Sequence, residues 1–286
     1  MSTLASEVMP VQFRTVNGMS IRYVESGRDH DNTILLTSPW PESLYAFLPI
    51  WQSLSEYSHL LAIDLPGFGR SERRNDLLSP RAMGEFLIQV IDEWGLNAPH
   101  VVGPDVGTAA ALFAAALHPG KLRSLVVGNG GIAYPLQTAG VLKSIIEAPD
   151  LEGFRAIDPR ATLGASLDEG HERYKMPAEV REDYLQSYDG DRFVESMRYV
   201  RSYPQELPVL KELLAEIQTP VQIISSRRDV LVPPANGEYL HERLPYNKLD
   251  LLDAGHYPWE DVADQYAAIV SAWVKGGYRA VKHATY

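Results

Sequence analysis

Apolar and polar positions alternate in two different rhythms along the chain. Near the N-terminus, "VQFRTV" at 11–16 and "MSIRYVES" at 19–26 are short extended segments separated by Asn17 and Gly18. That pair reaches positive φ readily and suits a tight hairpin turn, so the spacing predicts an antiparallel pair of strands. From residue 32 the pattern changes to short apolar runs separated by longer helical ones. "NTILLTSPW", "HLLAIDLPG", "HVVGPD" and "LRSLVVGNGG" read as strands. "SPRAMGEFLIQVIDEWGL" reads as a helix opened by Ser79 and Pro80, and "GTAAALFAAALHPG" as one ended by Pro119 and Gly120. Strands that are apolar throughout and joined by helices imply a mostly parallel sheet covered on both faces.

The alternation lapses between Tyr134 and Leu213, where the sequence is helical in character, rich in Tyr and charge, with no buried strand pattern. It resumes with the strand "PVQIISS", the helix "ANGEYLHERL", the strand "NKLDLLDAG" and a last amphipathic helix over 260–277. The expected organisation is one α/β core in two parts, 1–133 and 214–286, with a helical cap inserted over 134–213.

Composition narrows the classes of function. The 37 acidic against 26 basic side chains leave a net charge of -11, which argues against nucleic acid or an anionic membrane as partner, since phosphate binding needs clustered Lys and Arg. The absence of Cys excludes disulfides and thiolate chemistry. The N-terminus has neither a basic nor an apolar signal region, and no run approaches ~18 consecutive apolar residues. A cytoplasmic protein acting on a small molecule is the expectation, with no metal or cofactor called for.

The candidate chemistry starts at "HVVGPDVGTAAALFAAALHPG". Gly103 and Gly107 flank Asp105 at two residues on either side. A strand that turns directly into a helix crowds its neighbours, and glycines on both sides relieve the clash. The apex side chain is then held above the C-terminal edge of the sheet, beside N–H groups at a helix N-terminus. Asp229 follows an apolar strand in "SSRRDVLVPP", and His256 lies in the loop after the last strand in "DAGHYPWED". Asp253 and Glu260 lie close to His256 in sequence and are alternatives to Asp229. Asp64, in "AIDLPGFG", reads as a residue that fixes its local turn.

The order nucleophile, acid, histidine is that of an α/β-hydrolase triad. With "LLAIDLPGFGRSER", the acid segment and the histidine segment, nearly the whole chain resembles the α/β-hydrolase superfamily, in the cap-bearing branch that contains epoxide hydrolases and haloalkane dehalogenases. The resemblance implies an α/β-hydrolase fold and a catalytic set of Asp105, Asp229 and His256. It also implies an oxyanion site made by the backbone N–H groups of Val106 and Trp40. Relatives usually read His-Gly-x-Pro where this chain has Ser38-Pro39-Trp40-Pro41.

A carboxylate nucleophile is already ionised at neutral pH. Attack on an ester carbonyl would give a high-energy anhydride, whereas attack on an sp³ carbon bearing an epoxide oxygen or a halide gives an alkyl ester. Water activated by His256 would then hydrolyse that ester. Dehalogenases of the branch, and many epoxide hydrolases, carry Trp directly after the nucleophile, and in dehalogenases its indole N–H binds the departing halide; Val106 stands there, so a halide site would have to use Trp40 or a cap residue. Epoxide opening needs an acid, in the branch a cap tyrosine. Tyr134, Tyr174, Tyr184, Tyr188, Tyr199 and Tyr203 are available, and "MRYVRSYP" favours Tyr199, with Tyr203 as the alternative. Epoxide hydrolysis of an apolar substrate is the leading expectation; haloalkane or haloacid dehalogenation and non-catalytic ligand binding are the others.

Overall fold

The computed structural model describes residues 5–281. A short helix α1 (Ala5–Val8) precedes the hairpin of β1 (Gln12–Val16) and β2 (Met19–Ser26), which pair antiparallel with Val16 opposite Met19. Asn17 and Gly18 both take positive φ, 48° and 78°, as the two-residue turn requires. Next come β3 (Thr33–Thr37), α2 (Leu48–Ser55), β4 (His59–Ile63), α3 (Pro80–Trp94), β5 (His100–Pro104), α4 (Val106–Leu117) and β6 (Ser124–Gly128). Helix α2 is absent from the sequence-based expectation: at two turns, with Pro49 in its first, it has too little length to declare a period.

Six helices separate β6 from the next strand: α5 (Gly140–Glu147), α6 (Pro159–Gly170), α7 (Ala178–Ser187), α8 (Arg192–Ser196), α9 (Arg198–Arg201) and α10 (Tyr203–Leu213). The chain then returns through β7 (Val221–Ser226), α11 (Ala235–Arg243), β8 (Asn247–Leu252), α12 (Pro258–Asp261) and α13 (Ala263–Val274). The single last helix expected over 260–277 is two helices, because Val262 breaks the helical path at φ -133° and ψ 44°. Just before the break, the Asp261 carboxylate accepts the backbone N–H groups of Glu172, Arg173 and Tyr174 at 3.0, 2.8 and 2.8 Å.

The eight strands form one sheet in the order β1-β2-β4-β3-β5-β6-β7-β8. The pairs β1–β2 and β2–β4 are antiparallel, and all others are parallel. Every residue of β5, β6 and β7 is buried, which is why these strands read as unbroken apolar runs, while the edge strand β8 is half-exposed. Each fully buried Val, Leu or Ile there contributes about 1.5–3 kcal/mol relative to exposure, so the sheet centre is the rigid part of the molecule. The parallel strands β3 to β8 bring their C-terminal ends to one edge.

The helical insertion is fastened to that edge through a buried cation. Arg22 of β2, 2% exposed, makes bonds of 2.9 and 2.8 Å to Asp183 of α7 and of 3.3 Å to Asp64, at the end of β4. Ser43 Oγ donates to Asp183 at 2.7 Å, and the N–H groups of Leu44 and Arg70 donate to Asp64 at 2.7 and 2.8 Å. Asp64 thus fixes its local turn, and each buried charge has opposite charge and donors around it.

Candidate active site

Asp105 occupies the sharp turn between β5 and α4, with φ 50° and ψ -120°. The flanking glycines are required by contact. A Cβ on Gly107 would lie 2.3 Å from Thr37 Oγ1, and one on Gly103 would lie 2.9 Å from the Gly107 carbonyl oxygen. With those positions bare, the Asp105 carboxylate stands at the C-terminal edge of the sheet centre.

Loops from the ends of four other strands converge on it. After β3, the backbone N–H of Trp40 donates to Asp105 Oδ2 at 2.6 Å, and the Val106 N–H also bonds to this carboxylate. After β8, His256 presents Nε2 at 3.8 Å from Asp105 Oδ1. After β7, Asp229 Oδ2 lies 2.8 Å from His256 Nδ1. Asp229 is itself fixed by the N–H groups of Leu231 and Val232 at 2.9 and 2.8 Å, and by the amide of Asn129, after β6, at 2.8 Å. Asp253 instead pairs with Arg228 and Arg173 at the surface, and Glu260 points into a separate cluster.

The electrostatics follow from burial and pairing. Burial pushes the Asp105 carboxyl up to about 6, with the His256 charge and the Trp40 and Val106 N–H groups holding it from rising further. Burial alone would lower His256; the carboxylates of Asp229 and Asp105, with Glu42, outweigh it and bring the imidazole up to about 9. Burial of Asp229 is in turn outweighed by His256 and the N–H donors, which leave that carboxyl below its ordinary value. At neutral pH the site is therefore an Asp105 carboxylate facing a His256 imidazolium. Loss of the Asp105 charge would remove one of the causes that keep His256 protonated.

Above these groups lies an apolar cavity of about 100 Å³, with Leu142, Ile145, Phe154, Phe193, Met197 and Val200 of the insertion in its wall. Asp105, His256, Trp40, Tyr203 and Tyr257 supply its polar edges. The tyrosines nominated from sequence divide here. Tyr199 is not in the wall: it is buried, and its hydroxyl donates to the Val106 carbonyl at 2.7 Å. Tyr184 donates to Glu260 and Tyr188 to the Glu42 carbonyl, each at 3.0 Å, while Tyr134 is exposed. Tyr203 lines the cavity, and its hydroxyl has no hydrogen-bond partner among the described residues. Its phenol is held well above the ordinary tyrosine value by burial, with the Asp105 carboxylate adding to it. The Trp40 indole N–H is committed to Ser196 Oγ of α8 at 2.8 Å.

Sequence reasoning passes over Asn129, Ser196 and Tyr257. Asn129 had a legible signal, a polar residue between glycines at the end of an apolar strand; it takes φ 50° to aim its amide at Asp229. Glu42, His171 and Glu260 each place a ligand atom within 4.8 Å of the others, a set of donors able to hold a cation and not foreseen from sequence.

The alpha/beta hydrolase fold family model matches residues 32–261. The chain belongs to that family. It is 26% identical over 259 residues to a pimeloyl-[acyl-carrier protein] methyl ester esterase of Neisseria meningitidis, covering 86% of this chain and 94% of that protein. It is 26% identical over 291 residues to a haloalkane dehalogenase of Bradyrhizobium diazoefficiens, covering 91% and 93%. The structure of an epoxide hydrolase from Vigna radiata superposes with a TM-score of 0.78 at 14% identity, over 96% of this chain and 99% of that one, a likeness of fold. The hydrolase relatives differ in reaction, so this chain's own chemistry has to be argued from its side chains.

Proposed function

We propose that this hydrolase opens an epoxide through a covalent ester on Asp105 and releases a diol. The observation that carries the reading is the pairing, in one apolar cavity, of the Asp105 carboxylate with the Tyr203 hydroxyl, which has no hydrogen-bond partner among the described residues.

In the first step Asp105 Oδ1 attacks an epoxide carbon. The carbon–oxygen bond of the ring breaks, and Tyr203 gives its proton to the departing oxygen, leaving a hydroxyalkyl ester and a phenolate. The ester is neutral, so the field that kept His256 protonated weakens; the imidazolium gives up its proton, which restores the Tyr203 phenol, and the neutral imidazole is then available as a base. In the second step His256 takes a proton from water, and the hydroxide adds to the ester carbonyl. The resulting oxyanion, on the former Oδ2, is met by the N–H groups of Trp40 and Val106 already bonded to the carboxylate. Collapse breaks the acyl–oxygen bond and frees the diol. The regenerated Asp105 carboxylic acid protonates the departing alkoxide, so Asp105 returns to its carboxylate with one oxygen from water and His256, holding the proton taken from water, returns to imidazolium.

Dehalogenation would use the same carboxylate and histidine but requires N–H donors at the halide. Val106 has none in its side chain, and the Trp40 indole is already bonded to Ser196. Non-catalytic binding gives no reason for Asp229 to be held by three donors and to orient His256.

The test is a single-turnover reaction with styrene oxide in heavy-oxygen water, followed by peptide mass spectrometry. Label in the Asp105 carboxylate is expected, and His256→Ala is expected to trap the hydroxyalkyl ester on Asp105. An unlabelled Asp105, or no adduct on His256→Ala, would falsify the covalent reading.

A further inference from the structure

Behind the catalytic histidine lies a second buried polar cluster that the reaction above does not use. Glu42 is two residues beyond Trp40 in the loop after β3; Glu260 is in α12, four residues beyond His256. Both side chains are in the interior, at 0% and 3% residue exposure. Their carboxyl oxygens lie within 4.8 Å of each other and of a ring nitrogen of His171. Glu260 is also bonded to His171, at the end of α6, and accepts from Tyr184 of α7 at 3.0 Å. Glu42 accepts the indole N–H of Trp259 at 3.2 Å.

This arrangement joins the two halves of the ester-hydrolysis machinery. The Trp259 ring, held by Glu42, meets the His256 imidazole edge to face, with centroids 6.3 Å apart. The Tyr257 ring meets His256 with centroids 5.0 Å apart and stacks on His171 at 4.5 Å. The loop that supplies the Trp40 N–H and the segment that supplies His256 are therefore fastened to each other through Glu42. No group of the cluster bonds to Asp105 or Tyr203, the two residues assigned to ring opening.

We propose that Glu42, beside Glu260, is a positioning residue for ester hydrolysis, holding the oxyanion donor of Trp40 and the base His256 in register. The inference rests on the Asp105 ester reading. The link Glu42 makes is the acceptor bond to Trp259, whose ring lies against the His256 imidazole. A glutamine at position 42 keeps an oxygen that can accept the Trp259 N–H.

Removing the link should slow the second step and spare the first. With styrene oxide, Glu42→Ala is expected to lower kcat and KM by the same factor, roughly ten- to a hundredfold, with kcat/KM little changed. Intact-protein mass spectrometry in the steady state should show the hydroxyalkyl adduct. Glu42→Gln should restore turnover to within about threefold of wild type at pH 7. Trp259→Phe, which keeps the ring and loses only the N–H, should give the same signature in weaker form, and it decides the matter if Glu42→Ala fails to fold.

An activity loss with unchanged or raised KM and no adduct would mark a merely structural role and overturn the proposal. So would wild-type kinetics in the Glu42→Ala or Trp259→Phe protein. A loss in Glu42→Gln as deep as in Glu42→Ala would overturn it too, by pointing to a need for negative charge. His256→Ala separates the two levels. If it traps no ester, the reading of the site fails; if it does and the Glu42 and Trp259 variants do not, only the positioning role fails.

Discussion

The backbone N–H of Trp40 is 2.6 Å from Asp105 Oδ2, while His256 Nε2 stands 3.8 Å from Oδ1, so the two oxygens of one carboxylate face different partners. Oδ2 sits among donors suited to a developing oxyanion. Oδ1 faces the histidine across a gap too long for a hydrogen bond. On the epoxide reading proposed above, this asymmetry gives attack to one oxygen and charge stabilisation to the other.

The pH dependence follows from the same pair. Ring opening needs the Asp105 anion, whose carboxyl is raised to about 6, and tolerates a protonated His256, raised to about 9. The kcat/KM for an epoxide is therefore expected to rise with pH through about 6 and stay level towards 9. Asp229→Asn, which removes the largest charge holding His256 protonated, should depress kcat more than kcat/KM. A stopped-assay pH profile of both parameters checks this, and an acid limb near the ordinary carboxylate value would contradict it.

The two tyrosines nominated from sequence are expected to separate. Tyr203→Phe should lower kcat/KM for epoxides by about 10²–10⁴-fold, the span typical of losing a positioned acid, with stability little altered because its hydroxyl has no partner among the described residues. Tyr199→Phe should behave in the opposite sense. It removes a buried hydrogen bond to the Val106 carbonyl, at a cost of about 0.5–1.5 kcal/mol in urea unfolding, and leaves chemistry within a few-fold. Equal catalytic losses in both variants would contradict this division.

How much of this was legible in the chain differs by level. The sheet and its hairpin were, because buried strands cannot hide their apolar runs and a left-handed turn needs residues such as Asn17 and Gly18. Asp105, Asp229 and His256 were legible as a set because each ends a strand of a parallel sheet, where topology delivers it to one edge. The choice between Tyr199 and Tyr203 was not. The helical path is interrupted at Ser202 and followed by Pro204, so spacing along one continuous helix does not report which ring turns into the cavity. Glu42 was likewise invisible, since its partners Glu260, His171 and Trp259 lie more than a hundred residues away and a lone Glu in a loop signals only solvent.

The clamp between sheet and insertion should carry measurable stability. Arg22→Ala leaves the buried Asp64 and Asp183 without their cation, and a loss of about 3–5 kcal/mol in urea unfolding is expected. Arg73→Ala removes a pair whose Asp191 side chain is 60% exposed, and a change within about 1 kcal/mol is expected. Comparable losses in the two variants would mean that the buried pair is no more than a surface one.

The last prediction concerns the turn itself. In Gly107→Ala the new methyl would fall 2.3 Å from Thr37 Oγ1, while the Thr37 Cβ lies at 3.6 Å, an ordinary contact. The single variant must therefore push the start of α4 away from the sheet, carrying the Val106 N–H and Asp105 off their partners, and a loss of roughly 10²-fold in kcat is expected. Thr37 Oγ1 is buried with no hydrogen-bond partner among the described residues, so Thr37→Ala alone should cost little. The same substitution removes the clashing atom, and the Gly107→Ala/Thr37→Ala double variant should recover most of the activity. Such recovery is strong non-additivity at a contact, which a double-mutant cycle measures directly. If the double variant stays as inactive as Gly107→Ala, then backbone conformation rather than contact with Thr37 makes Gly107 necessary.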